Sequence, residues 1–170
     1  MTYLMRTLSV IYLVGAGLAL PTLALAHPVT PSAETKAAPL TGAAAEAARV
    51  VDAFHAALKA GDTGKAASLM APGVLVFEAG GAETSKAAYG AGHLAADAAF
   101  EKTAVEEILR RTGVAVGHSA WIATEGRVQA RTGEKVTDRL TTETMILART
   151  ADGWRIVHVH WSSRANPPPH

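Results

Sequence analysis

The fold is decided by the stretch Gly153-Trp154-Arg155-Ile156-Val157-His158-Val159-His160-Trp161-Ser162-Ser163. Its β-branched and aromatic residues, between a turn sequence and a proline-rich tail, are typical of a β-strand. Because side chains alternate between the faces of a strand, Ile156, His158 and His160 are predicted to share one face. The opposite face is then predicted to carry Val157, Val159 and Trp161. Two imidazoles on one face raise the question of which residues lie opposite them.

Three more strands are predicted before this one, around residues 105–116, 120–130 and 136–150. The turns that separate the last three strands contain Thr132-Gly133 and Asp152-Gly153, and both dipeptides are hairpin signals. Strands joined by short hairpins form an antiparallel meander. The second half of the chain is therefore predicted to be one antiparallel sheet.

The residues before residue 105 predict three helices and one strand. Apolar residues recur at helical spacing from Ala47 to Leu58, and this first helix is predicted to end at Gly61. Asp62 is predicted to cap a second helix that runs through Met70. A strand is predicted at 74–78, and Thr84 or Ser85 is predicted to cap a third helix that runs to about Phe100. Helices followed by a meander predict an α+β domain with a strongly curved, mainly antiparallel sheet.

The first 26 residues have the features of a secretory signal peptide. Arg6 lies near the start, an apolar segment begins at Leu8, and Ala24-Leu25-Ala26 precedes His27. A membrane anchor is the alternative, although Gly15, Gly17 and Pro21 interrupt an apolar segment that is barely long enough to span a bilayer. Cleavage after Ala26 predicts a periplasmic or secreted protein that has no membrane association after cleavage.

The charge of the chain argues against a nucleic-acid partner. Loss of residues 1–26 removes one cation and no acid, so the formal net charge falls from +1 to zero, and a nucleic-acid or anionic-membrane partner would require a basic surface. The chain has no cysteine, so it forms no disulfide. Residues 27–42 are predicted to be a flexible leader, 43–164 the folded domain and 165–170 a disordered tail.

Three segments resemble the nuclear transport factor 2-like superfamily, and more narrowly its SnoaL-like and DUF4440-type bacterial members. They are Val51-x-x-Phe54-His55-x-x-Leu58-x-x-Gly61-Asp62, Val76-Phe77-Glu78 and the closing strand. The closing strand is also similar to that of the calmodulin-dependent kinase association domain. The resemblance covers nearly all of residues 43–164. It implies a cone-shaped α+β domain with a pocket between the helices and the concave face of the sheet. The superfamily includes enzymes, binding proteins and oligomerisation domains, so the fold does not decide the function.

The resemblance implies that Glu78 lies in the pocket, since the ketosteroid-isomerase-like branch has a general-base carboxylate at about this point. Tyr89, His93 and Asp97 are spaced at four-residue intervals, which predicts one polar stripe on the third helix. An aspartate one turn from a histidine can orient the imidazole as a base. The alternative for this stripe is an ordinary solvent-exposed helix face.

The predicted catalytic residues are Glu78, His93, Asp97, His158 and His160, with Glu78 or His93 as the base and His158 or His160 as the proton donor. His55, Tyr89 and Trp161 are the predicted ligand-contacting residues. The alternative for the His158/His160 pair is a structural role, in which each ring bonds to a carboxylate or a backbone group. His55 is predicted either to enter the cavity or to edge the core.

No cofactor is predicted, because the chain contains neither a dinucleotide-binding fingerprint nor a nucleophile elbow. Metal binding is a less favoured alternative. His158, His160 and His93, with a carboxylate from Asp97 or Glu78, are suitable ligand types for zinc or copper, but their spacing is not a metal-binding signature. An amino-terminal His27 is a further copper-binding alternative.

Mixed charged and apolar strand faces, such as that of Trp121, Ala123, Glu125 and Arg127, favour a sheet that pairs with a second copy in a homodimer. The sequence therefore predicts an exported domain that binds a small organic molecule in a His/Glu/Asp-lined pocket. Isomerase- or hydrolyase-like acid–base catalysis is the hypothesis for its activity. A non-catalytic binding or oligomerisation module is the alternative.

Overall fold

The structure, a computed structural model, describes residues 38–132 and 135–167. Within these ranges the chain forms four helices, which are α1 (Gly42–Ala60), α2 (Thr63–Ser68), α3 (Lys86–Ala91) and α4 (Leu94–Glu101). It also forms six strands, which are β1 (Met70–Glu78), β2 (Gly81–Glu83), β3 (Val105–Val116), β4 (Ser119–Thr132), β5 (Lys135–Thr150) and β6 (Gly153–Ala165). The α+β architecture predicted from the sequence is confirmed.

The predicted helix ends are explained by local capping. Gly61 has a φ of 75°, and its backbone N–H and that of Asp62 close the last turn of α1 on Leu58 and Ala57. The Asp62 carboxylate accepts a 2.8 Å hydrogen bond from the Lys65 N–H, which caps α2. Ser85 caps α3 in the same way through Ala88. The sequence therefore fixes where α1 ends and where α2 and α3 begin.

The sheet has the strand order β2-β1-β6-β5-β4-β3. Strands β3 to β6 form the predicted meander, and β2 pairs with β1 in a hairpin. The pairing of β1 with β6 is parallel, whereas all the others are antiparallel. The end of β1 at Glu78 is thereby brought beside Trp161 of the final strand.

One face of the sheet, called the inner face here, packs against the helices. Its buried residues include Val74, Ile122, Met145 and Val159, and Phe54 of α1 belongs to the same core. The opposite, outer face carries exposed apolar side chains. The register aligns five of its residues across five strands, and this outer-face row consists of Val114, Trp121, Ile146, His158 and Leu75.

A β-bulge in β6 corrects the predicted position of the two histidines. Leu147 pairs with Ile156 and Ile146 pairs with His158, so Val157 is an extra residue without a partner on β5. The bulge reverses the alternation, because a shift of one residue moves every later side chain to the other face. Val159 and Trp161 therefore join Ile156 on the inner face, and the prediction that His158 and His160 share the face of Ile156 is wrong.

The predicted third helix is two helices. α3 ends at Ala91, Gly92 follows, and His93 precedes α4. The break ends the four-residue spacing that would have placed Tyr89, His93 and Asp97 on one stripe. Glycine lowers helix stability at such a position because it has the largest conformational freedom to lose.

The carboxyl end of the sheet extends beyond the predicted boundary at Arg164. β6 continues to Ala165, and the Asn166 N–H donates a 3.0 Å hydrogen bond to the Asp138 carbonyl. The predicted signal peptide, most of the leader and the last three residues lie outside the described ranges. Within residues 38–132 and 135–167, no helix has the length and apolar character needed to cross a membrane.

Candidate functional site

A cavity of about 700 Å³ lies between the helices and the inner face of the sheet. Residues of α1, α4, β1 and strands β3 to β6 line it. Glu78 enters it from the end of β1 and Asp97 from α4, while Trp161 reaches it from β6. His55 of α1 and Glu143 of β5 also line it. A cavity of this volume suits a small organic molecule.

The most buried polar contact in this cavity joins His55 to Glu143. The Glu143 carboxylate is 8% exposed, and its Oε2 atom lies 2.6 Å from His55 Nε2. The same oxygen accepts a 2.8 Å hydrogen bond from the Trp161 indole. Trp161 is itself stacked on Phe54, with ring centroids 6.3 Å apart. Core packing thus holds the indole, which in turn fixes the carboxylate that orients the imidazole.

Two further carboxylates approach the other nitrogen of His55. Glu101 Oε1 lies 3.8 Å from His55 Nδ1, and the carboxylate of Glu106 lies within 4.8 Å of the ligand atoms of both. Burial disfavours charge on His55, but Glu101 and Glu143 raise its pKa to about 10. Burial and then the charge of Glu101 raise the pKa of Glu106 to about 7.

The pKa of Glu143 moves in the opposite direction. Burial opposes its ionised form, but hydrogen bonds from His55 and Trp161 stabilise the charge and lower the pKa of the carboxyl group. His55 and Glu143 therefore form an ion pair at neutral pH. Glu101 and Glu143 are the two buried charged residues among those described.

Glu78 and Asp97 form a second carboxylate pair along the cavity wall. Burial, and then the negative charge of Asp97, raises the pKa of Glu78. Burial also raises the pKa of Asp97, while a 2.7 Å hydrogen bond from the Tyr89 hydroxyl opposes the rise. Tyr89 is fully buried, and besides its bond to Asp97 its ring lies 6.5 Å from that of Trp161. The fold thus keeps two carboxylates together, although the helix predicted to carry Tyr89 and Asp97 is broken.

His93 does not line the cavity. Its side chain is 64% exposed, and its Nδ1 atom bonds to Glu83, which raises the pKa of His93. The predicted role of His93 as a cavity base is therefore not supported by its position. The break between α3 and α4 explains the difference, because His93 lies in the connection and not on a helix face that packs against the sheet.

His158 lies on the outer face, where its ring contacts the ring of Phe77 edge-on at 5.1 Å. His160 borders the cavity, but it is exposed and in register with Phe77 and Thr144. The alternation of strand residues places its side chain on the outer face with His158. The prediction that His158 faces Glu78 and His93 is wrong, because the bulge at Val157 turns its ring to the outer face, whereas His160 stays at the border of the cavity.

Glu101, Glu106, Glu143 and Arg111 line the cavity but were not among the sequence-based site residues. The signal that identifies Glu143 is its register with Trp161 on the neighbouring strand. Arg111 donates to the Thr124 hydroxyl at 3.0 Å and pairs with Asp52. Glu101 and Glu106 flank the connection between α4 and β3, where the sequence pattern gives no inward direction.

The cavity is acidic. Among the described residues that line it, seven are aspartates or glutamates and three are arginines. Such an excess disfavours an anionic ligand and favours a neutral or cationic one.

A sequence model of the SnoaL-like domain matches residues 47–166, which include every residue of the cavity named above. The chain belongs to the SnoaL-like domain family. Among solved structures, this SnoaL-like protein is 32% identical to a candidate ketosteroid isomerase from Shewanella frigidimarina, with a TM-score of 0.65. The match covers 71% of this chain and 98% of the other.

Two other structures show the same fold. A candidate calcium/calmodulin-dependent protein kinase II association domain from Xanthomonas campestris is 25% identical, with a TM-score of 0.63, over 78% of this chain and 94% of the other. A candidate dehydratase of the nuclear transport factor 2-like family from Streptomyces avermitilis is 18% identical, with a TM-score of 0.62, over 72% of this chain and 96% of the other. No curated protein matches this SnoaL-like chain significantly.

Proposed function

We propose that this SnoaL-like protein binds a small, neutral organic molecule in the cavity and moves a proton on it, with Glu78 as the base. The observation that carries the proposal is the pair of carboxylates that line one cavity, the exposed Glu78 and the half-buried Asp97, both with raised pKa values. A carboxyl group whose pKa is raised towards neutrality is a stronger base and is easily reprotonated. Such a group suits an isomerisation or an elimination that begins with loss of a proton from carbon.

The two carboxylates have different parts in this proposal. The Tyr89 hydroxyl bonds to Asp97 and favours its ionised form, so Asp97 places a negative charge beside Glu78. That charge raises the proton affinity of Glu78, which exchanges the proton with the ligand. Asp97 is therefore a positioning residue that tunes the base, and Tyr89 holds it.

The relatives support an isomerase or dehydratase class, since one is described as a candidate ketosteroid isomerase and another as a candidate dehydratase. The arrangement of His55, Glu143 and Trp161 gives the cavity a fixed polar wall beside Glu78. This wall suits recognition of a hydroxyl or carbonyl group on the ligand.

The test is turnover of unconjugated ketosteroids and related unsaturated ketones, followed by the absorbance of the conjugated product. Glu78→Gln is expected to lower the rate by about 10²–10⁴-fold while the protein stays folded. Glu125→Gln, on the outer face, is the matched control and keeps the wild-type rate. Equal turnover by wild type and Glu78→Gln would overturn the role of Glu78.

A second candidate function, self-association through the sheet, is favoured by the outer-face row. Trp121 is 43% exposed, Val114 41%, Leu75 39% and Ile146 38%, and the register aligns them side by side. Contiguous exposed apolar side chains mark interaction surfaces. We infer a homodimer in which two copies of this row pack together, and the description of the Xanthomonas campestris structure as a candidate association domain agrees with it.

We also propose that the protein acts after export to the periplasm or the medium. The support is the composition of residues 1–26, with Arg6 before an apolar segment and an Ala24-Leu25-Ala26 ending.

A further inference from the structure

Nδ1 of His55 is buried and has no hydrogen-bond partner among the described residues. The other ring nitrogen, Nε2, is already bonded to Glu143. A buried nitrogen without a hydrogen-bond partner lowers the stability of the fold. The groups around it therefore indicate which ligand it could bind. Those surroundings are the carboxylates of Glu101 and Glu106, whose oxygens lie with a His55 nitrogen inside a 4.8 Å cluster.

We propose that His55, Glu101 and Glu106 bind one divalent transition-metal ion, with Nδ1 of His55 and one oxygen of each carboxylate as ligands. One imidazole and two carboxylates are donors suited to Zn²⁺, Mn²⁺, Fe²⁺ or Co²⁺. This cluster shares no residue with the Glu78/Asp97 pair, and an ion bound there goes beyond the proposed proton transfer.

The distance between the His55 and Glu101 ligand atoms fits coordination of one shared ion better than a direct hydrogen bond between the two side chains. Nδ1 of His55 and Oε1 of Glu101 are 3.8 Å apart, which is too long for a hydrogen bond. Two ligands at about 2.0–2.2 Å from a tetrahedral ion lie roughly 3.4 Å from each other. A small movement of Glu106, which is exposed, is enough to complete the three-ligand set.

Glu143 supplies the orientation that a metal-binding histidine requires. Such a histidine donates its second N–H to a carboxylate, which fixes the tautomer and the ring plane. Here Glu143 accepts from Nε2 at 2.6 Å and is itself held by the Trp161 indole. The ring therefore directs Nδ1 at Glu101, whose Oε1 atom lies 3.8 Å away.

A second buried polar atom next to His55 also lacks a partner. The Glu143 side chain is 8% exposed, yet its Oε1 atom has no hydrogen-bond partner among the described residues. Because His55, Glu101 and Glu106 all line the cavity, the ion would leave a coordination position open to a bound molecule.

The test is equilibrium dialysis of the tag-free protein, after treatment with a chelator, against Zn²⁺, Mn²⁺ and Co²⁺ separately. We expect one ion per chain, and a visible Co²⁺ absorption that shows nitrogen and oxygen ligation. Glu106→Gln, at an exposed position that folding tolerates, is expected to weaken binding at least tenfold. Glu143→Gln is expected to weaken it by about 10–100-fold through loss of orientation.

Glu107→Gln is the matched control, since it removes the neighbouring charge of the same cavity without touching the cluster. Absence of binding by the wild-type protein would overturn the proposal. So would equal binding by Glu106→Gln, because the ion would then be held by other histidines of the chain. Neither readout uses an organic ligand or Glu78, so failure here leaves the proton-transfer proposal standing, and the reverse also holds.

Discussion

The Glu143 carboxylate and the His55 imidazole are joined by a 2.6 Å contact between residues 88 positions apart in the chain. The contact ties α1 to β5 inside the cavity and keeps a buried negative charge opposite a positive one. Removal of one member leaves the other buried without its counter-charge, which is far costlier than loss of a surface pair.

Glu143→Gln is therefore expected to lower the free energy of unfolding by about 3 kcal/mol at neutral pH. Chemical denaturation measures the loss. Glu125→Gln, which removes an exposed ion pair with Arg110, is the control and changes the free energy by about 0–1 kcal/mol. Equal effects of the two substitutions would show that the His55–Glu143 contact contributes no more than a surface pair.

Glu78→Gln is expected to stabilise the fold while it removes activity. Because the folded-state pKa of Glu78 lies above its usual 4.5, its contribution to stability is present below pH 4.5 and is lost as the pH rises through the folded value. The neutral glutamine avoids this loss. The melting temperature of Glu78→Gln should therefore exceed that of the wild type at neutral pH, and the difference should shrink below pH 4.5. A difference that does not change with pH would contradict this account.

Ile146→Asp and Trp121→Arg are each expected to convert a dimer to a monomer. Burial of an unpaired charge between two copies of the outer-face row costs several kcal/mol, so the dissociation constant should rise at least about a hundredfold. Analytical ultracentrifugation measures the change. Val136→Asp, at an exposed apolar position outside the row, should leave the association unchanged. A monomeric wild-type protein would remove the case for this interface.

Ala79→Asn is expected to raise the melting temperature by about 2–4 °C. Ala79 and Gly80 form the two-residue turn between β1 and β2, with φ values of 49° and 84°. A positive φ costs an alanine roughly 1 kcal/mol, whereas asparagine tolerates it. Ala151→Asn, in the exposed turn before β6, is a control at a residue without a positive φ. An equal change at both positions would point to an unspecific effect.

Expression of the full chain in a Gram-negative host is expected to give a periplasmic protein that begins at His27. Intact mass and amino-terminal sequencing of the periplasmic fraction measure this directly. A protein that keeps Met1 and sediments with membranes would favour the anchor over the signal peptide.

The fold was predictable because short sequence motifs determine where the helices and the strands of the meander begin and end. Hairpin dipeptides such as Asp152-Gly153 set the strand ends, and capping residues such as Asp62 and Ser85 set the helix starts. Each of these motifs determines the backbone conformation of residues that are close to it in the sequence. The parallel pairing of β1 with β6 has no such local signal, and the sequence did not predict it.

The candidate site was less predictable because one residue decides which face the histidines occupy. Val157 is the bulge, but valine carries no turn or bulge signature, and Val157 and Val159 suit an apolar face in either register. The role of Glu143 depends on His55, far away in the sequence. Contacts of that kind depend on how the helices pack against the sheet, and they produce no periodic pattern in the sequence.

The parallel pairing of β1 with the last strand also constrains how the protein is made. Strands β3 to β5 can form as successive hairpins while the ribosome is still adding residues, and β1 can pair with β2 in the same way, but the other edge of β1 finds its partner only after residues 156–161 have emerged. Long-range pairing of this kind is slow compared with hairpin formation. During synthesis that edge of β1 therefore stays unpaired, and a chaperone can bind it.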